Sequence, residues 1–431
     1  MIFITKFTKK NMNKFLSIVN KNYCAILSLF ILIIYFFYYA KSFSYDYKNS
    51  YAFSELFLNY HGGFVRRGLL GEIFMILHKN LSVSPIFFFS TILFLVHLIN
   101  LLLFFKIVEN IKLPFELKII LFFSPALLFF SIYDFNMFFI KDIFIKFLIL
   151  LHAFIIIKTK KDTKKYFYYF KFLIIPLIIF INLFIHEYGI LFISIHLLFS
   201  LYAVEYKKKY FFLVYGILLL FLILIISINI GNENTLYQIN QSIQSFGVSV
   251  HKQLSAGFKG LIGGFYKWHF FYFGYKDFLM LLFSFLLSIW TFYFFFHILV
   301  IKKILIYNCQ YNYLLFFIPT FLVFLNLDHG RNLSLLSFHL VSFYMILNVN
   351  FSKLKKFIIK KRNNFYLLNF FYLFIFFYVF MWILPQDAAF GGKEQLNTIF
   401  RSSLFNEIKN FINFLYIFTS NYLIALPEIK L

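Results

Sequence analysis

An all-α, polytopic membrane helix bundle of about eleven transmembrane helices, with its N-terminus in the cytoplasm, is predicted from three features of this sequence. Of the 431 residues, 62% are hydrophobic, and the mean hydropathy is +0.81. That is more apolar surface than a soluble fold buries, so hydrocarbon must solvate much of it. The apolar residues gather into runs of about 15 to 22, near the length a bilayer core requires. Basic residues concentrate on alternate connections, as positively charged cytoplasmic loops do.

In chain order the runs lie near 23–40, 85–105, 119–133, 143–157, 172–185, 190–204, 211–230, 278–300, 313–327, 333–349 and 365–384. The first follows Lys6, Lys9, Lys10, Lys14 and Lys21, like the charged start of a signal peptide. With about 18 apolar residues and no small-x-small cleavage site, it reads as an uncleaved first helix. Several runs are short for a core of about 30 Å, so those helices begin within the headgroup region. In the tail, 385–431, the stretch FINFLYIFTSNYLIAL reads as either an outer segment or a twelfth helix. With no internal repeat and no second soluble domain, residues 1–431 form one integral membrane domain.

Counted from a cytoplasmic start, segments 1–22, 106–118, 158–171, 205–210, 301–312 and 350–364 hold 25 of the 41 Lys and Arg. They hold four of the 17 acids, Glu109, Glu116, Asp162 and Glu205. Basic residues resist translocation, so this asymmetry sets the orientation and makes KTKKDTKK and EYKKK cytoplasmic anchors. The net charge of +24 thus follows the membrane and does not point to nucleic acid. The 72 Phe and 31 Tyr accompany abundant Ile, Lys and Asn, a bias that an AT-rich genome explains without aromatic chemistry. Cys24 and Cys309 fall in or beside cytoplasmic-side segments, which supports neither a disulfide framework nor a cysteine metal site.

The polar residues that hydropathy does not explain all fall on the outer side. Segment 41–84 contains His61-Gly-Gly-Phe-Val-Arg66-Arg67-Gly68-Leu-Leu-Gly71-Glu72. Its glycine pair permits a tight turn, and Leu69, Leu70, Ile73, Phe74 and Leu77 then recur at the spacing of a short interfacial helix. Neighbouring residues on a helix diverge by about 100 degrees, so one arginine points into a common cleft while the other braces the loop. Gly68 and Gly71 would let another helix approach. An arginine fork suits a diphosphate, and an interfacial anchor or an Arg–Glu pair is the plainer alternative.

Three further clusters follow. Asp134 and Asn136 end the third span, and Lys141-Asp142 opens the fourth, with Lys146 one turn further in, spaced i, i+4 to pair with Asp142. His186-Glu187-Tyr188-Gly189 joins the fifth and sixth spans and offers a general base with its orienter; it lacks the second His of a zinc helix. Asp328-His329-Gly330-Arg331-Asn332 fills a tight turn between the ninth and tenth spans, where Arg331 is a second phosphate ligand or Asp328 a turn cap. The large outer loop, 231–277, opens with GNENTLYQINQSIQSFG and continues with an aromatic stretch suited to the headgroup interface, as a lid or a loop. His97, His152, His196, His297 and His339 read as hydrogen-bonded packing residues within the spans.

The helix count, the outer arginines and histidine, and the large outer loop resemble bacterial O-antigen and capsule polysaccharide polymerases, with the wider lipid-dependent glycosyltransferases as relatives. The residues that carry the resemblance are GGFVRRGLLGE at 62–72, IKD at 140–142, HEYG at 186–189 and DHGR at 328–331. It implies polymerisation of undecaprenyl-diphosphate-linked oligosaccharide repeat units at the outer face of the bacterial inner membrane, without a metal, another cofactor or a soluble nucleotide sugar. Membrane lipids, a chain-length regulator and a flippase are the partners it implies. For that chemistry Glu187 or His186 is the expected base, with Asp134 and Asp328 in reserve. Arg66, Arg67 and Arg331 are the expected diphosphate ligands, supported by His61, Gly68, Asp142 and His329. Asp46 and Glu55 are similar to first-loop acids of metal-using relatives, but no paired acidic motif accompanies them. A glycolipid transporter or flippase is the rival from another class, and a membrane scaffold the third.

Overall fold

The computed structural model describes residues 23–44, 46–63, 65, 67–110, 115–132, 135–159, 175–186, 189, 192–203, 214–218, 220–221, 233–250, 282–293, 329–346, 373–374 and 378. Among them the secondary structure is entirely helical, with no strand. The runs at 23–40 and 85–105 become α1 (Tyr23–Ser42) and, beyond the short helix α2 (Leu69–Leu81), α3 (Pro85–Asn110). Both α1 and α3 are long and apolar enough to cross a membrane. The 26 residues of α3 extend roughly 39 Å at the α-helical rise.

The run at 119–133 folds in two pieces. Helix α4 (Phe115–Phe123) stops at Ser124-Pro125, and a 3-10 turn, Leu128–Ser131, carries the chain on. Proline lacks the N–H that would continue the ladder and disfavours helical backbone in the residue before it. Ser124 becomes a bracket, its Oγ accepting from the Ala126 N–H at 3.1 Å and meeting the Tyr378 hydroxyl at 3.0 Å.

Then come α5 (Asp142–Thr159), α6 (Ile175–Ile185), α7 (Ile193–Ala203), α8 (Glu233–Ile243) and α9 (His329–Ile346). Residues 282–293 are helical with one wide turn at Leu286–Trp290. The expected span at 313–327, most of that at 365–384 and the tail 385–431 lie outside the described residues.

Helix α5 is the hub, packed by α3, α6, α7 and α9. Amide side chains tie the neighbours to its backbone: Asn100 of α3 donates to the Ile143 carbonyl at 3.0 Å, and Asn182 of α6 to the Phe144 carbonyl at 2.8 Å. Such interhelical bonds contribute roughly 0.6 to 2 kcal/mol each in apolar surroundings. On α3, His97 and Asn100 are buried while Leu95, Ile99 and Leu102 are exposed. On α6, Asn182 is buried while Leu177 and Ile181 are exposed. Polar residues inside and aliphatic ones outside is the pattern of helices solvated by hydrocarbon.

Segment 46–63 and α2 close one end of the bundle. Phe57 packs between Phe74 of α2 and Phe89 of α3, at ring-centroid distances of 5.6 and 5.1 Å. The glycines that the sequence suggested for helix–helix approach instead admit this segment. A Cβ on Gly71 would stand 2.0 Å from the Leu58 carbonyl oxygen, and one on Gly68 would meet the Tyr60 ring at 2.3 Å.

Candidate functional site

Three helix ends and one loop converge at that end of the bundle. Asp142 is the first residue of α5, where the helix dipole favours a carboxylate. Arg331, in the first turn of α9, grips it with both sides of its fork: Nε donates to Oδ2 at 2.9 Å and Nη2 to Oδ1 at 2.8 Å. His186 sits just past the end of α6, fixed by its own N–H donating to the Asn182 carbonyl at 2.8 Å. Its Nε2 reaches Asp142 Oδ1 at 2.8 Å. Because Nε2 carries the proton given to Asp142, its 3.3 Å approach to Arg331 Nη2 joins two donors and is a contact, not a hydrogen bond.

A second ion pair adjoins the first. Glu55, on the 3-10 turn Glu55–Phe57, is bonded to Arg67 Nη1 in a buried pair. Arg67 holds a left-handed backbone, φ 67°, uncommon for a side chain of its size. Lys141, fully buried, donates to the Arg67 carbonyl at 2.8 Å and joins the two pairs through the backbone of residues 141–142. Burial pushes the Glu55 carboxyl up, but the charges of Arg67, Arg331, His186 and Lys141 together outweigh it and hold the group below the usual carboxylate range. Glu55 therefore feels both ion pairs.

Lys146 takes a different partner from the one its spacing suggested. Asp142 is engaged by Arg331 and His186, and the Lys146 ammonium lies over the rings of Phe130 and Phe338, 4.9 Å from each centroid. Beyond Arg331 on α9, Asn332 and Ser334 are completely buried, and among the described residues neither amide atom of Asn332 nor the Ser334 hydroxyl has a hydrogen-bond partner. A buried polar group left unmade costs about 1 to 3 kcal/mol, so an orphaned amide on the residue after Arg331 calls for a function.

Of the residues singled out in the sequence, the structure brings together Arg67, Asp142, His186 and Arg331. His61 is exposed on the neighbouring turn, its N–H bonded to Asn59 Oδ1 at 2.9 Å, and Gly68 serves packing against Tyr60. Glu72, the alternative partner for an arginine, instead accepts from the Tyr60 N–H at 2.9 Å. Arg66, Asp134, Glu187 and Asp328 lie outside the described residues, as does the His329 side chain. In the sequence Glu55 stands only as a first-loop acid similar to those of metal-using relatives, Lys141 only within the IKD stretch at 140–142, and Asn332 is given no function. Among the described residues, no three His, Cys, Asp or Glu side chains are grouped to hold a metal ion.

The arrangement offers an imidazole oriented by a carboxylate, so that its neutral form carries the lone pair on Nδ1, next to guanidinium donors in a site shielded from water. That combination can remove a proton and stabilise a departing anion. No family model, curated protein or solved structure matches the chain.

Proposed function

We propose that this chain is a multi-pass glycosyltransferase of the bacterial inner membrane that polymerises undecaprenyl-diphosphate-linked oligosaccharide repeat units at the outer face. The observation that carries the reading is the buried convergence of His186, Asp142 and Arg331, with Glu55, Arg67 and Lys141 beside them, at one end of the bundle. The charge asymmetry of the loops supports an outward position for that end, and the polar-inside helices support hydrocarbon around the rest.

In this reading the acceptor hydroxyl attacks the anomeric carbon of the donor repeat. His186 Nδ1 takes its proton while Asp142 holds the ring and balances the charge that forms. The bond from the anomeric carbon to the diphosphate oxygen breaks, and its electron pair leaves with the lipid diphosphate. Arg331 and Arg67 turn part of their donor capacity from the carboxylates to the phosphate oxygens, whose paired acceptors fit the same planar fork. Arg66 keeps the diphosphate role that the sequence suggests for it, and Glu187, Asp134 and Asp328 stand as the alternative bases.

Deleting the gene tests this directly. Surface glycan should collapse from a ladder of lengths to single repeat units, and the ladder should return with the wild-type gene and not with Arg331→Ala. An unchanged ladder after deletion would reject the polymerase.

One observation favours a second reading, a glycolipid flippase. Lys146, His152, His196 and His339 are buried within α5, α7 and α9, and His152 Nδ1 meets His196 Nδ1 at 2.9 Å. Polar groups at that depth are typical of a substrate or proton path. Here deletion would trap lipid-linked repeats on the cytoplasmic leaflet, where single units never reach the surface.

A further inference from the structure

We propose that a cleft on α8 binds a stretch of neutral oligosaccharide, a glycan subsite separate from the Arg331 centre. The inference rests on the glycosyltransferase reading and assigns a role to part of the large loop 231–277.

The cleft, of about 420 Å³, is lined by Tyr237, Asn240, Gln241, Gln244 and Ser249, with Gly247 and Val248 at its edge. Its size falls within the range of small-ligand sites, roughly 300 to 1,000 Å³. The sequence places it by helical period. Leu236, Ile239 and Ile243 form the buried stripe of α8; Tyr237, Asn240 and Gln241 lie on the face beside it, and Gln244, opening the 3-10 turn Gln244–Phe246, continues that face. A face that only needs water usually carries Lys and Glu, whereas none of these lining side chains is charged; a nearby cation is Lys48, whose ammonium would stand 3.4 Å from a Cβ on Gly247 at the cleft. Each amide presents a donor and an acceptor, as does each hydroxyl of a sugar, and the exposed Tyr237 ring offers an apolar face with a polar tip.

The groups are also held in place. Asn240 Oδ1 accepts from the Val250 N–H at 2.7 Å, pinning the returning chain across the cleft, and Gln241 Nε2 donates to the Tyr237 hydroxyl at 2.5 Å. The cleft is braced against the loop that carries Glu55. Asn59 Nδ2 donates to Ser242 Oγ at 3.0 Å, Phe246 packs on Phe57 and Phe74, and Gly62 leaves room for the Thr235 backbone, which a Cβ would meet at 2.4 Å. A glycan lying there would be registered against the reacting centre by the same segment that supplies Glu55. Uncharged sugars are the class this lining fits.

The test uses full-length protein in lipid nanodiscs and, as probe, surface polysaccharide of the producing strain, partly hydrolysed and sorted into fragments of one and of several repeats. Fragments should bind the wild type, and Tyr237→Ala and the Gln241→Ala/Gln244→Ala pair should each weaken binding by about tenfold or more, as loss of an anchoring aromatic does. Tyr237 is exposed, so its replacement leaves the fold intact. Tighter binding of longer fragments assigns the subsite to the growing chain, and equal binding to the incoming repeat. Absence of binding, or equal binding by wild type and Tyr237→Ala, overturns the subsite and shows α8 to be a solvated loop face. Tyr237-dependent binding in a protein whose deletion leaves the ladder intact upholds the subsite and rejects the polymerase instead.

Discussion

Arg331 holds Asp142 through two parallel hydrogen bonds of 2.9 and 2.8 Å between residues 189 apart in the sequence. The pair fastens α9 to α5 and also sets His186, because the imidazole shares the same carboxylate oxygen. Arg331→Ala leaves Asp142 buried without its main counter-charge, at a cost of about 3 to 5 kcal/mol. Asp142→Asn combined with Arg331→Met removes both charges together and should recover most of that loss. Thermal unfolding of the purified variants in detergent measures the difference, and equal destabilisation by the single and double changes would show that the pair does not anchor these helices.

His186→Gln should lower glycan transfer by about 10²- to 10⁴-fold, the range that general base catalysis supplies, while the protein still inserts and unfolds near the wild-type temperature. Asp142→Asn should lower transfer as well, by misorienting a ring that remains present. Single-turnover assays with lipid-linked repeats check both variants. Wild-type rates for His186→Gln would move the base role to Glu187, the neighbour first considered with it.

Glu55 gives the site a pH dependence of definite sign. Its folded-state pKa lies below the ordinary value because nearby cations outweigh its burial. Its contribution is therefore complete above the unfolded carboxylate pKa of about 4.3 and is lost as pH falls through the folded value. Wild-type stability should be level near neutrality and decline in the acidic window below about pH 4.3, more steeply than that of Glu55→Gln, which has no proton to gain. Parallel curves for the two proteins would mean that the Arg67 pair contributes nothing in solution.

Why some of this was legible in the sequence and some was not follows from where each residue sits. Asp142, His186 and Arg331 stand out because each interrupts or borders a long apolar run, where charge is costly and needs a reason. Glu55 is visible as a first-loop acid, but its place within YAFSELFL, an aromatic stretch, gives no sign of its pairing with Arg67. The local i, i+4 rule offered Asp142 the wrong cation, since a guanidinium arriving from α9 matches both carboxylate oxygens while Lys146 finds two aromatic faces. Hydropathy likewise reads 119–133 as one run, because it averages over Ser124-Pro125, where the backbone actually breaks.

Gly68 and Gly71 look alike in the sequence yet should differ on substitution. An added methyl at residue 71 meets a backbone carbonyl, which cannot swing aside, whereas at residue 68 it meets the ring of the half-buried Tyr60, a side chain that can shift without moving the backbone. Gly71→Ala should destabilise by about 1 to 3 kcal/mol, as overpacking does, and Gly68→Ala by less. Unfolding temperatures of the two variants decide this, and a larger loss at Gly68 would contradict the packing of segment 57–60 on α2.

Asn332 separates a structural role from a chemical one. Its amide is buried with neither atom bonded, so in a purely structural role an apolar residue of similar size should fit as well or better. Asn332→Leu should then match or exceed wild-type stability. If the amide instead waits for a sugar hydroxyl or phosphate oxygen beside Arg331, the same variant should keep its stability and lose about 10-fold or more in transfer, since a site built to bond a polar group discriminates strongly when that bond is removed. The expected result is stability retained with activity lost. Full activity with raised stability would return Asn332 to the core and leave Arg331 as the polar contact that α9 makes with substrate.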